Sequence, residues 1–284
     1  MIACPLLALD GPVLVFGGCY SNLEATRALR SEVERLGIAP GNIICTGDVV
    51  AYCADPVATV DLVRDWGVHV VMGNCEESLG WSKDDCGCGF EEGTACEALS
   101  VDWYGYSDRL LGDDARAWMR GLPRRLDLQI GTRRLAVMHG AVDLVNCFVF
   151  ASTPWHEKVR QISLSGCDGV IGGHSGIPFT DEREGLLWHN SGALGMPAND
   201  GTQRVWYSLL VPTRDGVDVS LHPLEYDAGT AARKMRERGL PAGYADALET
   251  GLWPSCDVLP PRERAERGTP LAATSLVWNF AEAA

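Results

Sequence analysis

Short apolar runs alternate with amphipathic stretches over the first eighty residues of the chain. Three apolar runs have the length and β-branched content of buried strands: Pro12–Phe16, Asn42–Cys45 and Val68–Met72. Between the first two, Asn22–Leu36 carries leucines at helical spacing. Asp55-Pro56 opens a second helix through Trp66, because Asp suits an N-cap and Pro the first turn. This alternation predicts a mostly parallel sheet joined by short right-handed crossovers.

The pattern changes after this point from strand–helix units to hairpins. A Gly- and acid-rich loop is predicted at Ser82–Ala95 and a helix at Asp113–Met119. Further strands are predicted at Leu126–Ile130, Arg134–Met138, Gly169–Ile171, Leu186–Trp188, Arg204–Val211 and Val217–Leu221. The order indicates two packed sheets with outer helices. We predict one domain over residues 1–226 and a C-terminal helical and irregular appendage over residues 227–284.

Polar residues follow the ends of several of these strands, where open α/β sheets place ligands. Asp48, Asn74, His139 and His174 each follow a short apolar strand in a glycine-containing turn. Oxygen and imidazole ligands on rigid loop ends suit a hard metal ion. An isolated histidine is more often structural than a ligand, so no one of these residues identifies a metal site by itself.

Taken in order, the motifs resemble one family. Gly17–Asn22, Gly47-Asp48, Gly73–Glu76, His139-Gly140 and Gly173–Gly176 resemble the GDxHGN, GD, GNHD/E, HG and GHxH blocks of calcineurin-like metallophosphoesterases. Gly47–Pro56, Ile177–Phe179 and Asn190–Gly192 also resemble phrases of that family. The resemblance covers about Leu14–Leu210. It implies a four-layer α/β/β/α sandwich of the metallophosphoesterase type.

The resemblance also implies that the ligands of one metal ion are present and that those of a second metal ion are missing. In the family, the positions of Asp48, Asn74, His139 and His174 hold one metal, with Asp48 bridging to the second. The ligand positions of that second metal hold Gly18, Tyr20 and Gly176 here. Tyr20 as a phenolate, or Cys19 as a thiolate, is an alternative ligand, and Asn22 is a further candidate contact. We expect Fe, Mn or Zn, with one ion favoured over two.

Cysteines stand at two further positions of interest. Cys75 replaces the histidine that contacts the substrate in the family, so Cys75, Asp48 and His139 are the predicted catalytic residues. A nearby metal is expected to lower the pKa of the Cys75 thiol. Cys86 and Cys88 form a Cys-x-Cys pair that chelates a metal, forms a redox pair or simply lies in a surface loop. Eleven cysteines, an odd number, fit reduced thiols in the cytoplasm better than a disulfide framework.

The net charge and the apolar runs of the chain restrict the classes of partner that we expect. The formal net charge is −14, and no run of Lys and Arg is present, so we expect no nucleic-acid partner. No apolar run reaches the length of a membrane span, and the N-terminus lacks a basic signal-peptide segment. A small phosphorylated substrate is compatible with the charge, because a metal dominates the local field. A homo-oligomer is left open.

The predicted function is a metal-dependent hydrolase of a small phosphate mono- or diester, either a phosphatase or a phosphodiesterase, with a mainly mononuclear site. The first alternative is the same fold used for other metal or thiol chemistry through Cys75 or Cys19. The second is a metal-binding protein without catalytic activity.

Overall fold

The computed structural model describes residues 5–280 of the 284-residue chain. Residues 1–4, on which the signal-peptide prediction partly rests, lie outside that range. Among the described residues, no helix is long and apolar enough to cross a membrane.

Two mixed six-stranded sheets form the centre of the fold. The strands are β1 (Leu6–Ala8), β2 (Val13–Phe16), β3 (Ile43–Cys45), β4 (His69–Val70), β5 (Arg125–Ile130), β6 (Arg133–Met138), β7 (Gly169–Gly172), β8 (Phe179–Arg183), β9 (Leu186–Asn190), β10 (Val205–Pro212), β11 (Gly216–Leu224) and β12 (Thr274–Asn279). One sheet has the order β1-β5-β6-β7-β9-β8 and the other β12-β11-β10-β2-β3-β4. Strands β2, β3 and β4 are parallel, as are β6, β7 and β9.

Helices cover the outer faces of the two sheets. They are α1 (Leu23–Leu36), α2 (Pro56–Trp66), α3 (Asn74–Gly80), α4 (Ala95–Leu110), α5 (Asp113–Arg120), α6 (Trp155–Ser165), α7 (Ala228–Glu237), α8 (Ala242–Thr250) and α9 (Pro261–Ala265). A short 3₁₀ turn, Pro40–Asn42, precedes β3. Asn22 is the N-cap of helix α1, and its Oδ1 accepts from the Ala25 N–H.

Alternate residues of the central strands enter different cores. Val13 and Val15 of β2 pack between the sheets with residues such as Leu128, Val137 and Trp278. Their neighbours, such as Leu14, face the helices on the other side, where α1 and α2 lie. On the far sheet, β6 and β7 pack against Ile162 of α6 in a third core. Two sheets packed face to face between helical layers confirm the predicted α/β sandwich.

Helices α3, α4 and α6 were not predicted from the sequence patterns, and in α4 and α6 several of the buried side chains are polar. Helix α4 buries Ser100 and Ser107 beside Trp103, and α6 buries Lys158 and Gln161 beside Ile162 and Ser165. Lys158 donates to Asp181 Oδ2 at 2.9 Å, which compensates its burial. Small and charged residues on the inner face remove the apolar periodicity by which a helix is recognised.

The C-terminal stretch also differs from its prediction in content. The predicted boundary at residue 226 stays a prediction, but a helical and irregular description of residues 227–284 omits β12. This strand pairs antiparallel with β11, and its Trp278 is fully buried between the sheets. The short strand β8, also unpredicted, is an edge strand of mixed polarity.

Candidate metal centre

The four predicted ligands lie at the ends of strands or at the start of a helix. Asp48 follows β3, Asn74 begins α3, His139 follows β6, and His174 follows β7. Asp48 has a left-handed backbone with φ 58°. Gly47 before it has φ 93°, and a Cβ there would lie 2.6 Å from the Gly73 nitrogen. Glycine is therefore required for the two loops to approach each other.

The side chains of these four residues converge on one buried point. Nε2 of His139 lies 3.0 Å from Asn74 Oδ1, 3.0 Å from His174 Nδ1 and 3.1 Å from Asp48 Oδ2. Candidate ligand atoms of Asp48, His139 and His174 all lie within 4.8 Å of one another. Ligands about 2.0–2.1 Å from a tetrahedral metal are roughly 3.3 Å apart, so these separations are close to those of a coordination shell.

Neighbouring hydrogen bonds aim the lone pairs of this cluster inward. Nδ1 of His139 lies 2.7 Å from the Thr46 carbonyl, which can only accept, so Nδ1 carries a proton and Nε2 faces the cluster. The Asn74 Nδ2 group donates to the Cys86 carbonyl at 2.9 Å, which turns Oδ1 toward the cluster. A single proton can form a hydrogen bond between only two of these four facing atoms, whereas one cation can bind all four. The residues present therefore fit a metal ion.

The pKa values of the cluster follow from burial and from Asp48. Burial raises the pKa of Asp48, but His139 and His174 outweigh it, and the net pKa is lowered. Burial lowers the pKa of His139, but the Asp48 carboxylate reverses this, and the net pKa is raised. Burial, followed by His139, lowers the pKa of His174 to about 3. His174 is therefore a neutral imidazole, the form that binds metals.

Glu76 holds the Asp48 loop in place. Its carboxylate accepts from the backbone N–H groups of Asp48 at 2.7 Å, Val49 at 2.8 Å and Gly73 at 2.9 Å. The side chain is fully buried. Burial, followed by the Asp48 charge, raises the pKa of Glu76 to about 7. Glu76 is thus a positioning residue for the left-handed Asp48 backbone.

Tyr20 occupies the space beside the positions that carry no ligand side chain. A Cβ on Gly18 would lie 2.3 Å from Tyr20 Cε1, and a Cβ on Gly176 would lie 3.7 Å from Tyr20 Oη. The ring therefore extends from one glycine to the other. Burial, followed by the Asp48 charge, raises the pKa of Tyr20 well above its ordinary value, so its hydroxyl keeps the proton.

Two of the additional candidate contacts have other partners. Asn22 caps α1 with Oδ1 and donates from Nδ2 to the Gly195 carbonyl at 3.0 Å. Cys19 is fully buried, and its thiol interacts with that of Cys45. The structure therefore does not bring Asn22 or Cys19 into the cluster.

Cys75 lies beside the cluster but away from solvent. Its side chain is 1% exposed, and its backbone N–H donates to Asp48 Oδ1 at 3.0 Å. In the metal-free protein, burial, followed by Asp48 and Glu76, raises the pKa of the thiol well above its ordinary value, and the lowered pKa expected beside a bound metal stays a prediction. The catalytic role of Cys75 stays a prediction, and the thiol is protonated and enclosed in this structure.

Cys86 and Cys88 are joined by a disulfide. This pairing corresponds to the redox-pair alternative for Cys86 and Cys88, and the other cysteines from Cys19 to Cys256 are free. The pair contacts the metal cluster through Asn74, whose Nδ2 lies 3.3 Å from Cys88 Sγ. Cys86 and Cys88 thus support a predicted ligand rather than joining the cluster.

An aromatic cleft opens from the cluster and was not predicted. Asp48 and His174 line its floor, and its volume is about 70 Å³, several times the space that one water molecule needs. Six aromatic side chains form much of its wall: Tyr20, Tyr52, Phe90, Phe148, Tyr244 and Trp253. Tyr244 and Trp253 come from the C-terminal stretch, so only the folded chain brings them to the cluster.

The two-sheet sandwich with a buried Asp/Asn/His/His cluster at its strand ends defines an α/β protein with a candidate metal centre. The model of the calcineurin-like phosphoesterase superfamily domain matches residues 15–213. The chain therefore belongs to this superfamily, whose members typically bind divalent metals.

Relatives agree with the fold. An uncharacterized protein of Methanocaldococcus jannaschii is 24% identical over 254 residues, covering 84% of this chain and 98% of its own. A hypothetical protein from Pyrococcus horikoshii has a TM-score of 0.73 at 16% identity, covering 85% of this chain and 99% of its own. A metallophosphoesterase from Sphaerobacter thermophilus has a TM-score of 0.66 at 20% identity, covering 86% of this chain and all of its own (100%). These two structures establish the fold.

Proposed function

We propose that the protein is a hydrolase of small phosphoesters that uses one metal ion held by Asp48, Asn74, His139 and His174. The observation that carries the proposal is the convergence of four inward-facing ligand atoms beside a cleft that two of the residues, Asp48 and His174, line. A bound cation supplies positive charge to a phosphoryl group and lowers the pKa of water. The partner is accordingly a small phosphorylated molecule.

A single ion is favoured by the position of Tyr20. The second metal of the family has Gly18, Tyr20 and Gly176 at its ligand positions, and the Tyr20 ring fills the space beside both glycines. A protonated phenol is a poor metal ligand, whereas its hydroxyl can donate a hydrogen bond to a substrate oxygen. In this proposal, the space of the second metal site is part of the substrate cleft.

The protein residues divide the work of hydrolysis. His139 Nε2 and His174 Nδ1 would bind the metal ion, while Glu76 fixes Asp48 and the Cys86–Cys88 loop fixes Asn74. Water adds to phosphorus, the bond to the leaving oxygen breaks, and the proton from water passes to solvent or to the departing group. Tyr20 offers a hydrogen-bond donor at the cleft floor.

Metal analysis combined with two chromogenic esters tests the proposal. The protein is loaded separately with Mn²⁺, Fe²⁺ and Zn²⁺, and bound metal is measured beside turnover of p-nitrophenyl phosphate and bis-p-nitrophenyl phosphate. We expect one ion per chain and turnover that a chelator abolishes. Asp48→Ala should lose both metal and turnover, and His156→Ala, at an exposed site, should lose neither. Bound metal without turnover of either ester would overturn the hydrolase and leave a metal-binding protein.

A further inference from the structure

The aromatic wall of the cleft includes residues outside the matched family domain. That domain ends at residue 213, whereas Tyr244 and Trp253 lie on α8 and on the loop after it. We propose that Trp253 forms a specificity subsite for an aromatic ester group of a monoanionic phosphodiester, an inference that rests on the proposed function. In this assignment the metal cluster receives the phosphate, and Trp253 receives the ester group that stays on phosphorus rather than the leaving group.

Hydrogen bonds fix the indole of Trp253 before any ligand arrives. Its Nε1 donates to the Pro197 carbonyl at 2.7 Å, and its backbone N–H donates to Asn199 Oδ1 at 2.8 Å. Its carbonyl accepts from Arg267 Nη2 at 3.2 Å. A ring already held in one orientation loses little conformational entropy on binding, which favours its use as a contact surface.

The indole lies close to the loop that carries a predicted ligand. Gly176 is two residues after His174, and a Cβ placed on it would lie 3.8 Å from Trp253 Cζ2 and 3.7 Å from Tyr20 Oη. Trp253 is only partly buried. Over residues 5–280, no other ring stacks on it, although Tyr52 contacts both Tyr20 and Tyr244. A partly exposed indole that also packs against the core therefore lines the same cleft as Asp48 and His174.

Charge favours a diester over a monoester. Among the described residues that line the cleft, none is Lys or Arg, and Asp48 contributes a negative charge. A monoester dianion would depend on one cation for two charges in a site of low polarity. A diester carries one charge and brings a second organic group to the aromatic wall. Stacking of that group on an aromatic side chain adds to the gain from burying its apolar area.

Two diesters with the same charge and leaving group test the subsite. They are methyl p-nitrophenyl phosphate and phenyl p-nitrophenyl phosphate, assayed with metal-loaded protein. We expect kcat/KM to be higher for the phenyl ester. Trp253→Ala should lower this value about tenfold for the phenyl ester and less than about twofold for the methyl ester, as expected for loss of one stacking contact. Trp81→Ala, at a tryptophan that is 51% exposed and outside the cleft, should change neither value.

Binding gives a readout that does not depend on turnover. Isothermal titration of metal-loaded protein with diphenyl phosphate should show weaker affinity in Trp253→Ala, with affinity largely retained in Trp253→Phe, which keeps a ring. Thermal unfolding of each variant reports whether it is folded. Trp253-dependent binding without hydrolysis would refute the proposed function and support the subsite. Hydrolysis that treats both esters alike, unchanged in Trp253→Ala, would overturn the subsite and support the hydrolase.

Discussion

Replacing Gly18 by alanine should destabilise the protein, because the Tyr20 ring already occupies the space of the added methyl group. The new Cβ would lie 2.3, 2.7 and 2.8 Å from three ring carbons of Tyr20. The ring cannot move freely, since Tyr52 packs edge-on against it with centroids 4.9 Å apart. Gly18 does not have a left-handed backbone, so the penalty comes from overpacking. Overpacking of this kind costs about 1–3 kcal/mol.

A double-mutant cycle isolates that clash. In a Tyr20→Ala background the space is free, and Gly18→Ala should be neutral or stabilise by about 0.4–1 kcal/mol through lower entropy of the unfolded chain. The free energy of unfolding is measured by urea denaturation followed by tryptophan fluorescence. Gly41→Ala is the matched control, because nothing lies within 4 Å of its added Cβ. It should have the same effect in both backgrounds.

The same geometry predicts how a second metal site could be restored. Gly18→Asp combined with Tyr20→His removes the ring and supplies two ligands next to Asp48, and metal analysis should rise from one ion per chain toward two. Gly176 is left unchanged, because its φ of 69° disfavours a side chain. An equal cost for Gly18→Ala with and without the Tyr20 ring would refute the reasoning that this ring fills the ligand space.

Three further measurements address the cluster. Asp48→Ala should abolish Mn²⁺ binding in a calorimetric titration, while Tyr20→Phe should retain it; binding to the first variant would contradict the ligand assignment. Glu76→Gln leaves one backbone N–H without an acceptor and should lower stability by about 1–3 kcal/mol. In metal-free protein the pKa of Glu76 is raised from 4.5 to about 7. The protonated side chain therefore stabilises the fold below pH 4.5, and this contribution is lost as pH rises through 7. The urea midpoint of the wild-type protein should fall over this range, and that of Glu76→Gln should fall less. Iodoacetamide should modify Cys75 slowly until the protein unfolds, since its protonated thiol is 1% exposed; fast, inactivating modification would instead favour thiol chemistry.

The predicted ligands could be located from the sequence because short-range features determine their position. Asp48 and His174 follow the short apolar strands β3 and β7, and His139 follows the apolar end of β6, residues 135–138. The neighbouring parallel strands β6 and β7 bring His139 and His174 to one edge of a sheet, and Asp48 follows a strand of the other sheet. The glycines beside them mark tight turns. These features are readable within a few residues of each side chain, and the family resemblance then supplied their order.

Other parts of the site depend on long-range packing and leave little local trace. Trp253 contacts the loop of Gly176, which is 77 residues earlier in the chain, and nothing in its neighbourhood indicates that contact. The environment of Cys75 was not predictable for a related reason. The lowered pKa expected near a bound metal stays a prediction, whereas in the metal-free protein burial, followed by Asp48 and Glu76, raises the pKa of this thiol. Burial is a property of the whole fold.

The attachment of the C-terminal stretch to the rest of the cleft has a consequence for altering the selectivity of the protein by mutation. The loop carrying Trp253 is attached to Asn199 through the Trp253 backbone N–H, and Leu271, further along the C-terminal stretch, is attached to Asp200 through its own backbone N–H. None of the four converging residues belongs to either segment. On the proposed subsite, substitutions between Ala242 and Val258 should alter which esters are accepted while the four converging residues stay unchanged. A library confined to these seventeen positions is therefore expected to give variants with altered selectivity and an unchanged set of candidate ligands.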